Sequence, residues 1–269
     1  HELRDGGRRF RGLGVLVAVD NINSVLSKKL SGFDCGRQRQ LDELMIKLDG
    51  SANKSLLGAN AILAVSMAAA RAAAIASKRP LYSYLARNII AAARGNKKQP
   101  RSSHKSDKFV LPVPFCNVIN GGKHAGSSLK IQEFMVVPSA FDSFRSAITA
   151  VSEVYHELKS LLLRRFGKSA VNVGDEGGFA PQLSTANEAL SVLESAVAAT
   201  GYSGKVQFAV DAAASEFYSG KERKYEVMQG KFLAAADMVD YYVQLAKDFP
   251  IVSIEDPFEE ESFAAFAEL

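Results

Sequence analysis

Leu13, Leu16, Val17, Ile22, Val25, Leu26 and Leu30 recur at spacings near three and four, which predicts an amphipathic helix over 13–31. A second helix is predicted over 37–48, closed by Asp49-Gly50, and a long alanine-rich one over 60–78, stopped by Pro80. A short helical segment over 81–93 follows. The stretch "RGNKKQPRSSHKSDK", 94–108, is charged and Ser-rich with hardly an apolar residue, so it is expected to be a linker loop and a domain boundary. Beyond it the period changes. β-rich runs at about 110–120, 131–138, 170–175, 205–211 and 250–255 predict five strands, and helices are predicted over 141–166, 185–200 and 231–248. Thr185 and Glu188 form a capping-box pattern, with Gly201 placed to end that helix. Strands separated by helices of this length mean βα units. The expected architecture is a mostly helical first domain, 1–108, followed by an α/β domain, 109–269.

Composition agrees with a globular chain: 47% of residues are apolar and 23% charged over 269 residues. No run of about 18 uninterrupted apolar residues occurs, since Asn60, Ser66 and Arg71 break the alanine-rich stretch, so no membrane span is expected. Cys35 and Cys116 are far apart and lack metal-type spacing, which suits a reducing, cytoplasmic setting. The net charge of +4 hides an asymmetry. Residues 1–108 carry 20 Lys/Arg against 8 Asp/Glu, or +12, and residues 109–269 carry 13 against 21, or −8. The basic residues are scattered and not interleaved with aromatics, which argues against a nucleic-acid surface and for attraction to a small anion.

Candidate chemistry sits where strands end. "VNVGDE" finishes in Asp175-Glu176, "KVQFAVD" in Asp211, and "PIVSIED" in Glu255-Asp256. A single acid at such a place is as readily a helix cap or a solvated turn. Three in register are different, because a parallel βα array gathers its strand ends on one face. Carboxylates converging there would repel and raise one another's pKa unless a cation neutralises them. Oxygen-only ligands select a hard divalent ion, Mg²⁺ above all when a phosphorylated or carboxylated substrate adds oxygens. Upstream, His124 lies in the glycine-flanked "NGGKHAG", and Gln132-Glu133 opens an apolar run, an odd place for a carboxylate unless something polar meets it.

Six stretches in order, "LDGSANKSLLGANAILAVSMA", "LPVPFCNVINGGKHAG", "QEFMVVP", "NVGDEGGFAP", "VDAAASEFY" and "PIVSIEDPF", resemble enolase, the lyase that interconverts 2-phosphoglycerate and phosphoenolpyruvate. The resemblance implies a TIM-like enolase barrel, of which about five of eight strands are placed here, preceded by part of an α+β capping domain. It implies Asp211 and Glu255 as metal ligands, Glu255 also near substrate, and Glu176 as the general acid that helps the 3-hydroxyl leave as water. His124, Glu133 and Gln132 are implied to contact substrate, and Glu2 resembles a position near a dimer contact. A homodimer in glycolysis is the implied assembly. The family's base lysine and third acidic ligand fall past Leu269, so the stretch as given is expected to be part of a longer chain and inactive alone. Asp175 and the metal-proximal acids are expected to keep Glu176 protonated, and the glycines after it to leave room for substrate. Two alternatives stay open: a superfamily enzyme acting on another carboxylate, and a non-catalytic relative that binds a partner through the basic 94–108 loop.

Overall fold

The computed structural model describes residues 1–90, 109–122, 128–174 and 176–269; the linker 94–108, His124 and Asp175 lie outside the described residues. The chain divides into two compact units, 1–107 and 108–269.

In the first unit α1 (Leu16–Asp20) runs through a π-helical stretch, Asn21–Leu26, into α2 (Ser27–Leu30). The predicted single helix therefore begins later and is underwound in its middle. Then come α3 (Gln38–Asp49), α4 (Ala59–Ala76) and α5 (Leu81–Tyr84), the last continuing as π-helix over Leu85–Ile90. Leu26, Leu41, Met45, Leu57, Ile62 and Ala69 form their common core. The loop between α3 and α4 is organised by Asp49, which is 2% exposed. Burial alone would raise its pKa, but hydrogen bonds from Ser51 and from the Leu57 and Leu56 amides bring it below the usual value. By length and composition α4 would also pass for a membrane span, a test that core helices pass as well; Ala61, Ile62, Ala69, Ala70, Ala73 and Ala74 are buried within the unit.

The second unit is built on a four-stranded sheet of β1 (Cys116–Asn120), β2 (Glu133–Val137), β3 (Gln207–Asp211) and β7 (Ile251–Glu255), in the order β1-β2-β3-β7. Pairing is antiparallel for β1 with β2 and β2 with β3, and parallel for β3 with β7. The parallel array expected from the strand–helix alternation therefore holds for β3 with β7 and is corrected for β2, which runs against both neighbours; in the sequence that alternation begins only at the third run, so the earlier strands lack the predicted crossover helices that parallel pairing needs. Alternate residues face opposite ways. Phe134, Val136, Phe208 and Val210 point to α6 (Phe144–Phe166), α7 (Ala186–Ala199) and α8 (Ala235–Asp248), whose Val154, Leu158, Leu162, Leu190, Leu193, Met238 and Tyr242 complete the main core. Met135, Val137 and Ala209 cluster on the other face. The capping box at Thr185 and Glu188 forms as predicted.

Two further differences concern single elements. The described residues 170–174 of the predicted strand 170–175 are not one: a 3₁₀ turn occupies Lys168–Val171, and single bridges join Val173 with Phe179 and Ile119 with Phe179. The helix predicted from 231 starts at Ala235, because Lys231–Leu233 is β6, the last strand of a separate small sheet with β4 (Tyr218–Ser219) and β5 (Lys224–Met228). The chain closes with α9 (Phe263–Glu268).

Candidate active site

Antiparallel pairing brings the first residue of β2 level with the last residues of its neighbours. Asn120 pairs with Glu133, Glu133 with Asp211, and Asp211 with Glu255, so four polar side chains cross the sheet in one row. Alternation puts Glu133 and Asp211 on the face that carries Met135 and Ala209, away from the helices. The sequence placed Asp211 and Glu255 together by parallel strand ends; Glu133 joins them from the opposite chain direction.

The backbone immediately after both candidate ligands is strained. Ala213 and Asp256 hold φ of 45° and 44°, uncommon for residues with a Cβ. The two turns support one another, Ala212 N–H donating to the Glu255 carbonyl at 2.9 Å and Ala214 N–H to the Asp256 carbonyl at 3.0 Å. Ala213 N–H donates to Asp211 Oδ1 at 3.0 Å and so orients that carboxylate.

Glu176 reaches the row from a tight turn. Gly177 N–H donates to the Gly174 carbonyl at 3.1 Å and Gly174 N–H to the Gly178 carbonyl at 2.9 Å. The turn lies along β1, with Phe179 N–H donating to the Val118 carbonyl and Asn120 N–H to the Phe179 carbonyl. From α6, Tyr155 stacks on Phe179 with ring centroids 4.4 Å apart, and its hydroxyl donates to the Gly177 carbonyl at 3.0 Å. Asn120 Nδ2 donates to Glu176 Oε2 at 2.8 Å, and Gln132 Nε2 approaches Glu176 Oε1 at 3.5 Å. Gln132, Glu133 and Glu176 therefore meet, while His124 lies outside the described residues. Glu2 belongs to the first unit, where it forms an ion pair with Arg4.

Asn120 and the Tyr155 support were not read from the sequence. An asparagine before Gly-Gly looks like a turn residue, and Tyr155 follows the apolar period of its helix; neither carries a local signal of its role.

The electrostatics follow from five acids, Glu133, Glu176, Asp211, Glu255 and Asp256, with no described cation among the causes of the shifts at Glu133 and Asp211. Burial, the hydrogen bond shared with Glu176, and the charges of Glu176, Asp211 and Glu255 push Glu133 up to about 7. Asp211 is also raised, first by burial and then by the charges of Glu255, Asp256 and Glu176, against the lowering effect of the Ala213 amide. The raised proton affinity thus falls on Glu133, the more enclosed partner of the pair.

A pH dependence follows. Between the ordinary value of 4.5 and about 7, the folded protein binds a proton at Glu133 that the unfolded chain has lost. This contribution to stability is complete below 4.5 and lost as pH rises through about 7. The melting temperature of metal-free protein should therefore fall more steeply over that window than that of Glu133→Gln. Parallel curves for the two proteins would exclude Glu133 as the source.

Among the described residues, no three His, Cys, Asp or Glu side chains form a ready-made metal cage. The adjacent carboxylates of Asp211 and Glu255, level with one another at the ends of two parallel strands, suit a hard ion bound through one or two carboxylates, water and substrate oxygens. That is the coordination habit of Mg²⁺.

Comparison with known proteins adds a second kind of observation. Residues 1–85 match the family model described as enolase, N-terminal domain, and residues 108–269 match enolase, C-terminal TIM barrel domain. Similar proteins include the enolase of Methanocaldococcus jannaschii, 51% identical over 266 residues, covering 99% of this chain and 58% of the relative. The enolase of Methanococcus aeolicus is 47% identical over 268 residues (100% and 59%), and that of Thermococcus kodakarensis 47% over 267 residues (98% and 58%). The chain thus spans under two thirds of the length of these relatives.

Proposed function

Because the chain belongs to the enolase family, we propose that it contributes the metal- and acid-bearing half of a site that reversibly dehydrates 2-phosphoglycerate to phosphoenolpyruvate. The observation that carries this reading is the row Asn120–Glu133–Asp211–Glu255 with Glu176 hydrogen-bonded over its end. The same reading brings the expectation of a cytoplasmic homodimer acting in glycolysis.

Asp211 and Glu255 are the residues that would hold Mg²⁺. When bound, the ion stabilises negative charge that builds up on the substrate carboxylate as the C2 proton is lost. The base for that proton is not among the described strand-end residues of the row. The chain's own contribution is to the second half of the reaction. Hydroxide is a poor leaving group, so a carboxyl group must deliver a proton to the 3-hydroxyl as its bond to carbon breaks. Glu176 stands on a turn with its side chain exposed to the open face, and Glu133 behind it keeps a proton in the pair at neutral pH. The hydrogen bond shared with Glu176 offers a route for the proton on Glu133 to pass to Glu176, which delivers it to the departing hydroxyl and leaves both carboxylates ionised. Gln132 and Glu133 border the space that the leaving hydroxyl would occupy, as does His124 by resemblance. The excess of acids in this unit makes the bare site hostile to a phosphorylated anion, so substrate affinity should depend on the ion.

Asp211→Asn tests the ligand assignment without an activity assay. Replacing a charged oxygen by a neutral one, at a carboxylate oriented by Ala213 N–H, should weaken Mg²⁺ binding by roughly tenfold or more. Calorimetric titration that gives equal affinity for both proteins would remove Asp211 from the ligand set.

A further inference from the structure

Asn120 is fully buried, 0% exposed, and its side chain bridges two parts of the same turn. Oδ1 accepts from Gly178 N–H at 2.8 Å, and Nδ2 donates to Glu176 Oε2 at 2.8 Å. The partners fix the amide's orientation, since a backbone N–H needs the oxygen and a carboxylate needs the NH₂. Its own backbone N–H is committed to the Phe179 carbonyl at 2.8 Å. The residue therefore has little freedom to turn away from either partner.

We propose that Asn120 is a positioning residue that ties the fold of the 174–178 turn to the aim of the Glu176 carboxyl and reserves Oε2 as an acceptor, leaving Oε1 as the atom that carries the transferable proton. Oε2 is occupied by a good donor, so a proton placed there would meet the Asn120 NH₂ head-on. Gln132 Nε2 approaches Oε1 only to 3.5 Å, the far limit of a hydrogen bond, so among the described amide donors none competes strongly with a proton there. A short amide reaches both partners at once because the turn's glycines let the backbone approach it. An ideal Cβ on Gly174 would lie 3.0 Å from Asn120 Oδ1, and one on Gly178 2.5 Å from the same atom. The role as a proton-placing group rests on the reading of Glu176 as the acid; the clamp on the turn does not.

Two variants separate these functions in the full protein. Asn120→Ala removes both contacts: kcat should fall by about 10–100-fold with KM within about twofold, and the Gly178 amide should exchange roughly tenfold faster or more by NMR. Asn120→Asp keeps an oxygen for Gly178 N–H but replaces the donor to Oε2. Its Gly178 exchange should stay within about threefold of the parent. Among the described residues the titratable groups facing position 120 are Glu176 on the turn and Glu133 on β2. Beside them the introduced carboxyl holds a proton at mildly acidic pH and can then donate as the amide did. The kcat of Asn120→Asp relative to parent should thus be down about tenfold near pH 8 and recover to within about threefold near pH 6. A ratio that stays flat with pH overturns the proton-placing role, and unchanged Gly178 exchange in Asn120→Ala overturns the clamp. If the parent does not dehydrate 2-phosphoglycerate, it is the functional reading that fails, and the exchange measurement still decides the clamp.

Discussion

Glu176→Gln is expected to reduce kcat by about 10²–10⁴-fold, the usual worth of a positioned general acid, while leaving Mg²⁺ affinity near that of the parent. The reasoning is geometric. Glutamine is nearly isosteric, so it still fills the turn, but it carries no transferable proton for the departing 3-hydroxyl. Glu176 is bonded to Asn120 and Glu133 and is not one of the two paired strand-end carboxylates, so its loss removes little from the proposed ion site. Single-turnover kinetics alongside calorimetry would separate the two quantities. Unchanged turnover would refute the acid assignment, and a matching collapse of Mg²⁺ binding would move Glu176 into the ligand set.

A large stability effect is expected from Gly178→Ala. Its Cβ would come 2.5 Å from Asn120 Oδ1, 2.9 Å from Asn120 N and 3.0 Å from the Ile119 carbonyl carbon. Two of those three atoms are backbone in β1, and the third belongs to a fully buried side chain, so no flexible group can yield. Overpacking of this kind costs about 1–3 kcal/mol, and relief by moving the turn would carry Glu176 out of the row. We expect a clear loss of denaturant midpoint together with loss of turnover. Gly177 is a different case: its φ is +86°, and nothing lies within 4 Å of the added carbon, so Gly177→Ala would be strained by conformation and not by contact. A Gly178→Ala protein as stable as its parent would show that the turn is less closely packed on β1 than described.

These glycines show how far the sequence could be read. In "GDEGG" the sequence marks an unusual placing of acids beside residues without side chains, with room for substrate as the expected reason. The structure adds a further reason at Gly178, the close approach of Asn120. That contact spans 58 positions and has no local signature. The period of apolar residues located α3, α4, α6 and α7 well, because each buries one stripe. It also located β1, β2, β3 and β7, whose β-branched and aromatic residues fill the faces toward the helices. Pattern alone misplaced a strand at 170–175, since a short apolar approach reads the same in a 3₁₀ turn followed by a single bridge as in a strand. It passed over the β4–β6 sheet because "SGKERKYEVMQGKFL" is dominated by charge, though Tyr225 within it is buried at 1% exposure. Strand direction was the remaining gap. Asp211 and Glu255 were legible as a pair because their strands are parallel, whereas Glu133 joins the row only through two antiparallel steps that its own run does not encode.

The most direct test of the central claim is the formation of phosphoenolpyruvate from 2-phosphoglycerate by the full protein, followed first with Mg²⁺, then with a chelator, then with Mg²⁺ restored. The account predicts turnover that stops on chelation and returns with the ion. Absence of turnover with Mg²⁺ present, or turnover indifferent to the chelator, would contradict it.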